Sequence, residues 1–276
     1  MIILSSINGL AQEQDLYNKH LDSLEIQLEN KEDVSMVKPP TKEIFTMNFS
    51  EALRLNIDSY RRKSITAYKY KDHGRAHFLY DSLINHCLKG TFFDSFKIKQ
   101  VDGGTFSFKE LKKPVFLKTT SEWCEPNISE IDALNDVADE FEDMIDFVVI
   151  YWNPRKKVQK ISRKYNRNIR ILFVDENDNK SSHILKTLKH SLGLPTIITM
   201  TKNKQILNVM KGVSPRYLEE KNTGISSYGR FEGKESKNHY ENSYKNYFNL
   251  IKLYVDELAS KYKSIQKNPL KSIPKV

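Results

Sequence analysis

One cysteine stands where sulfur chemistry is possible. Cys124 lies in Trp123-Cys124-Glu125-Pro126-Asn127, between an apolar, β-prone run from Val115 to Leu117 and a stretch with helix spacing. Ile128, Ile131, Leu134, Val137, Ala138 and Phe141 recur at steps of three and four, which aligns them on one helix face. Glu125 and Pro126 suit a first turn, and Asn127 with Glu130 three residues on fits a capping box. Cys124 is therefore expected at or just before a helix N-terminus. Unpaired backbone N–H groups and the positive end of the helix dipole favour an anion there, so a thiolate would be stabilised. A thiolate attacks disulfides.

The elements that must position this sulfur read as an alternation of strands and helices. Asp146-Phe-Val-Val-Ile-Tyr-Trp152 is a continuous apolar run, as in a central strand covered on both faces. Asn153-Pro154 opens a helix with Val158, Ile161 and Tyr165 inward. Ile169 to Val174 is the next strand, ended by the turn composition of residues 175–179. Ser181 or Ser182 caps a helix through Leu192, with Ile184, Leu185 and Leu188 inward, and Gly193 stops it. Pro195 stands at the mouth of the strand Thr196 to Met200, a position where a missing ladder donor is tolerated. Lys202 to Lys204 is a tight turn, and Gln205 to Met210 returns as hairpin partner. Residues 215–240 read as a mobile loop, and Tyr240 to Tyr262 as a last helix packing on the sheet. This order predicts an α/β layered domain.

Ahead of that domain the chain is helical. Leu16, Leu21, Leu24 and Leu28 support a helix over residues 12–30, broken by Pro39-Pro40. A second helical region runs from Phe49 towards Cys87, with Leu53, Ile57, Tyr60, Phe78, Leu79, Leu83 and Ile84 as its apolar stripe and a break near Asp72-His-Gly74. Cys87 closes this region. A buried structural thiol is the default there, because free cysteine packs as a small hydrophobe; a resolving partner for Cys124 is the alternative.

Composition narrows the function. The 276 residues are 39% hydrophobic and 29% charged, as in a globular chain with a polar surface. The net charge of +9 comes from 44 basic residues interleaved with 35 acidic ones, a solvated surface and not a nucleic-acid footprint. No apolar run approaches a membrane span. Two cysteines exclude a disulfide framework and a cysteine-rich metal site. His73 and His77 are an i, i+4 pair without a carboxylate to complete a site, so no metal is expected. No phosphate loop is present and no cofactor is expected.

With these residues in view a family resemblance emerges. Strand, Trp-Cys-x-Pro-x and helix, followed by Glu130-Ile-x-Ala-Leu-Asn135, resembles the redox motif of TlpA-like redoxins, bacterial thiol–disulfide oxidoreductases of the thioredoxin fold. The similarity runs from about residue 89 to 215 and includes Asp102-Gly-Gly-Thr-Phe-Ser-Phe-Lys-Glu-Leu111, a β-hairpin before the redox strand in that family. It also includes Gly193-Leu-Pro-Thr-Ile197, which looks like the family's cis-proline loop. The resemblance implies a thioredoxin-like fold, a central mixed sheet flanked by helices, with a helical N-terminal extension over residues 12–88 and the domain over 89–262. It implies that Leu194-Pro195 is cis and sets the carbonyl and N–H of Leu194 beside Cys124. One departure bears on mechanism: the family's second cysteine falls on Asn127.

A dithiol reductase releases its mixed disulfide with a second sulfur, and Asn127 cannot do that. In the leading reading Cys124 is a monothiol redox centre, supported by Trp123, Pro126, Asn127, Leu194 and Pro195, reacting with protein or small-molecule disulfides and resolved by an external thiol. In the second the fold is a redox-inactive module that holds extended peptides by main-chain pairing beside Pro195. The third is a thiol peroxidase. Ser121 supplies a hydroxyl three residues ahead of Cys124, but Leu117 stands where peroxide-reducing relatives carry proline. Glu125 and Glu130 read as capping and surface residues, and a charge on Glu122 would raise the thiol pKa.

The ends complete the reading. Gly9-Leu-Ala11 before Gln12 has small residues at the spacing of a signal-peptidase site, although a charged n-region is missing and the apolar core is short. Residues 1–11 are read as the tail of a secretory signal, which would place the protein in the periplasm or cell envelope; an ordinary chain terminus would leave it cytoplasmic. Residues 263–276, with Pro269 and Pro274, read as a disordered basic tail.

Overall fold

A computed structural model describes residues 47–124, 128–177, 182–211 and 237–267. The signal-like residues 1–11, the helix expected over 12–30, the Pro39-Pro40 break, Glu125, Pro126, Asn127 and the end beyond Lys267 lie outside the described residues.

Seven strands form one mixed sheet: β1 (Lys97–Gln100), β2 (Thr105–Ser107), β3 (Val115–Thr120), β4 (Asp146–Tyr151), β5 (Ile169–Phe173), β6 (Thr196–Met200) and β7 (Ile206–Lys211). Their spatial order is β2-β1-β5-β4-β3-β6-β7. β3 is central and all six of its residues are buried. It pairs in parallel with β4 from Val115↔Asp146 to Thr120↔Tyr151, and antiparallel with β6 from Val115↔Met200 to Thr119↔Thr196. β4 and β5 are also parallel. The C-terminal ends of three strands therefore share one end of the sheet, where α/β folds place their sites. Gly103 and Gly104, at φ 116° and 76°, turn β1 into β2, a backbone region that suits glycine. This is a thioredoxin-like fold with a helical region ahead of it.

α3 (Ile128–Glu140), α4 (Arg155–Ser162), the short α5 (Ser182–Ile184) and the long α6 (Lys237–Lys267) belong to the domain. α3 packs Ile131, Leu134 and Val137 over Phe116, Phe147 and Val149, and Tyr247, Ile251 and Val255 of α6 join the same core. Each such large apolar side chain contributes about 1.5–3 kcal/mol by leaving water. α6 was expected on the sheet; it lies chiefly along α3. Tyr240 Oη donates to Asp132 Oδ2 at 2.7 Å, Tyr244 Oη donates to Asp136 Oδ2 at 2.5 Å, and Lys252 pairs with Glu140. Helix begins at Lys237, inside the stretch read as loop, and runs through Lys267, into the stretch read as tail.

Among its described residues the extension has α1 (Phe49–Lys69) and α2 (His73–Leu83), the latter continuing as a π-helical turn over Ile84–Leu88. Asn48 makes no side-chain cap on α1. Asp94 takes that role from a distant loop, its Oδ2 accepting the Ser50 N–H at 2.9 Å and its Oδ1 the Ser50 hydroxyl at 2.6 Å. Asp72 caps α2 by accepting the Arg75 N–H at 2.8 Å, which explains the break expected there. Two residues assigned to apolar stripes face outward: Phe78 is 69% exposed and Ile128 47%.

Candidate functional site

β3 carries the chain to the sulfur through a short pinned turn. Beyond Tyr151 the ladder continues as the Trp152 N–H donates to Thr120 O at 2.9 Å. Asn153 then reaches back: its Oδ1 accepts the Glu122 N–H at 2.8 Å and the Ser121 hydroxyl at 3.2 Å. A 3-10 turn spans Glu122–Cys124, and the Cys124 N–H donates to Ser121 O at 2.9 Å. Cys124 ends half-buried. It lies in this turn, and α3 is described from Ile128.

That placement changes the expected electrostatics. Burial pushes the Cys124 thiol above its ordinary pKa. A backbone hydrogen bond at Ser121, the Thr120 hydroxyl and the Lys118 ammonium pull it down, and the Glu130 carboxylate pushes it up. The net direction is upward, so the thiolate expected from the helix terminus is not favoured: desolvation outweighs the donors. Thr120 Oγ1 is buried without a hydrogen bond of good geometry, so its pull on the sulfur is a weak interaction.

Glu130, read from sequence as a surface cap, is a correction of a different kind. It is nearly buried in the first turn of α3 and forms an ion pair with Lys118. Lys118 is 4% exposed, a charged side chain in the middle of a strand otherwise built for the core. Glu122, expected to act on the thiol, turns instead to Lys157 at 2.7 Å. Ser121, the hydroxyl a peroxidase would use, is fully buried and engaged with Asn153.

The walls of the site come from neighbouring strand ends. Trp152 is buried, and the Lys189 ammonium lies 6.0 Å from its ring centre while pairing with Glu176. Burial lowers the Lys189 pKa, against a smaller upward pull from Cys124. The Leu194–Pro195 bond is cis, and Gly193, at φ 80°, donates its N–H to Lys189 O at 2.9 Å. β6 follows at once, its Thr196 beside Thr119 of β3.

Cys87 is apart from this arrangement. It is 1% exposed in the π-helical turn, and both cysteines are free thiols. A resolving role would require it to leave the core. A cleft of about 490 Å³, lined by Gln100, Asp146, Tyr165, Asn166 and Ile169, lies at the other end of the sheet, where β4 and β5 begin, and is not a chamber for Cys124. Among the described residues no group of three His, Cys, Asp or Glu could hold a metal ion, and no helix is long and apolar enough to cross a membrane.

Sequence reasoning missed Lys118, Thr120, Asn153 and Lys189. One signal was available: a lysine inside Val115-Phe-Leu-Lys-Thr-Thr120 calls for a buried counter-charge. The others depend on contacts between elements distant in sequence.

Comparison with known proteins agrees with the fold. Residues 90–209 match the AhpC/TSA family model, less than half of the chain. No curated protein matches the sequence. Solved structures that resemble it include an exposed lipoprotein thioredoxin of Streptococcus pneumoniae (20% identity, TM-score 0.35, 44% of this chain and 90% of that one). A thiol-disulfide oxidoreductase of Bacteroides fragilis aligns at 19% identity and TM-score 0.37 over 48% of this chain and 93% of its own. A secreted disulfide oxidoreductase of Mycobacterium tuberculosis aligns at 20% and 0.36 over 44% and 85%.

Proposed function

We propose that this chain is a thioredoxin-like thiol redox protein that works through Cys124 alone. The observation carrying the reading is a half-exposed sulfur in a pinned turn at the C-terminal end of β3. The cycle has two exchanges. The Cys124 thiolate attacks one sulfur of a substrate disulfide, forming a mixed disulfide and expelling the other sulfur as a thiolate, which takes a proton from water. An external thiolate then attacks the mixed disulfide, forms a new disulfide with the trapped sulfur and returns Cys124. No second protein cysteine is required. We place this activity in an exported protein, on the signal-peptidase spacing at residues 9–11.

The direct test is trapping. Purified protein incubated with excess glutathione disulfide should gain one glutathionyl group on the Cys124 peptide, and Cys124→Ser should gain none. Modification of neither cysteine, or of Cys87 alone, sinks the proposal.

The upward shift of the thiol favours one second reading, a redox-silent module that pairs extended peptides beside Pro195. Peptide capture unchanged by Cys124→Ser, together with no trapped adduct, would establish it in place of the first.

A further inference from the structure

The positive charge of this chain is unevenly placed. Residues 61–78 carry six basic side chains, Arg61, Arg62, Lys63, Lys69, Lys71 and Arg75, against one acidic side chain, Asp72. That surplus of five is more than half of the net +9, so the charge is concentrated in this short segment. The one carboxylate is committed to the backbone, its Oδ1 accepting the Arg75 N–H at 2.8 Å.

The fold puts this segment at the corner of a helical hairpin. Tyr60, Ser64 and Ala67 of α1 and Ala76, Leu79 and Leu83 of α2 are buried, and the Tyr60 and Tyr80 rings lie 6.3 Å apart. Lys71, at φ 54°, follows the end of α1, and the Asp72 N–H donates to Ala67 O at 2.8 Å, so the corner closes on its own backbone. Its outer side chains face water: Ile65 is 68% exposed, Tyr68 54% and Tyr70 64%. On α1, Ile65 has Arg61 and Arg62 one turn before it and Tyr68 and Lys69 one turn after it, all exposed. Apolar groups grouped in the open among like charges mark an interaction surface.

We propose that this corner is a docking surface for an anionic lipid bilayer, on which the chain lies peripherally. Charge complementarity selects the partner: acidic headgroups attract the cationic corner, and each Lys or Arg near such a surface strengthens binding about fivefold. Tyr68 and Tyr70 suit the headgroup level, where a ring meets apolar matter and its hydroxyl meets water. Ile65 suits the acyl boundary, while the long arginine and lysine stems reach back to phosphate. A helical corner offers no strand edge for pairing with an acidic peptide, and the cleft near Tyr165 is lined by other residues. A nucleic-acid strand would meet the same cations but gain little from Ile65. Among the described residues no helix is apolar enough to cross a bilayer, so the contact is with its surface. No residue of the Cys124 site takes part, and the inference stands apart from the redox reading.

The test is cosedimentation of the full chain with phosphatidylcholine vesicles, with and without phosphatidylserine. The chain should bind the anionic vesicles at least about tenfold more strongly, and high salt should shrink the difference. Arg62→Gln, Lys71→Gln and Arg75→Gln together should weaken binding about a hundredfold, at about fivefold for each charge. Ile65→Ser with Tyr68→Ser should weaken it about tenfold although every cation remains. Leu253→Ser, at an exposed leucine of α6, should bind as the parent does. All these positions are exposed, so circular dichroism should show the parent's helicity in each variant. Equal binding to both vesicle types, or no loss in the glutamine variant, overturns the proposal. So does a loss in the glutamine variant with none in the serine variant, which would be plain cation adsorption, or an equal loss in Leu253→Ser. Absent vesicle binding with salt-dependent retention of a single-stranded oligonucleotide would assign the corner to nucleic acid instead.

Discussion

Asn153 holds Glu122 in place: its Oδ1 accepts the Glu122 N–H at 2.8 Å and, through the same oxygen, the Ser121 hydroxyl at 3.2 Å. The residue after Trp152 on one strand end thereby fixes the turn that presents Cys124 on the next. Removing the acceptor strands the Glu122 N–H, while the Ser121 hydroxyl keeps the Trp152 carbonyl at 3.4 Å. Asn153→Ala should cost about 1–3 kcal/mol in urea unfolding. Asn153→Asp, which keeps the acceptor, should lose less. Equal losses in the two variants would mean that packing, not this acceptor, holds the turn.

The Tyr151 and Tyr165 hydroxyls lie 2.8 Å apart in the core. A single Tyr→Phe change strands the remaining hydroxyl, so Tyr151→Phe should destabilise by about 1–3 kcal/mol, while adding Tyr165→Phe should cost little more, because no polar group is then left unpaired. A double-mutant cycle by chemical denaturation measures this coupling, and additive losses would contradict it.

How much of this was legible in the sequence depends on the range of the interactions. β3, its turn and the α3 stripe follow local patterns, and the strands from Asp146 to Met210 formed where read, whereas the helix read through Leu192 is α-helical over Ser182–Ile184 and π-helical over Leu185–His190. Glu130 did not, because its position three residues after Asn127 suggested a cap and its partner Lys118 sits on another element. The thiol shift was misjudged for a related reason. A helix terminus is visible in sequence, whereas the burial that overrides it comes from strands and helices assembled around the turn. The cis bond at Pro195 came from the family resemblance, not from residue patterns.

Alkaline pH should loosen the α3–α6 seam. The hydrogen bond from Tyr244 to Asp136, with some burial, pushes the tyrosine pKa up to about 12. A pKa raised above the unfolded value stabilises fully below that value, near 10, and the contribution disappears as pH rises through 12. Unfolding midpoints should therefore fall between pH 10 and 12, and Tyr244→Phe should flatten part of that slope. An identical slope in the variant would rule this tyrosine out as a source.

Asp94 should control the start of α1. Asp94→Ala removes the acceptor of two Ser50 donors, an N-terminal capping interaction of the kind that contributes about 0.5–2 kcal/mol. Hydrogen exchange at Ser50 and its neighbours should quicken while the β3 amides stay protected. Uniform quickening throughout the sheet would show that α1 and the sheet open together.

Turnover is the most direct measure of the central claim. With an excess of reduced dithiothreitol, glutathione disulfide reduction should proceed faster with the protein than without it, with the same rate in Cys87→Ser and only background in Cys124→Ser. A Cys124→Ser protein that matches the parent, or a parent no faster than background, would contradict a redox cycle run on that single sulfur.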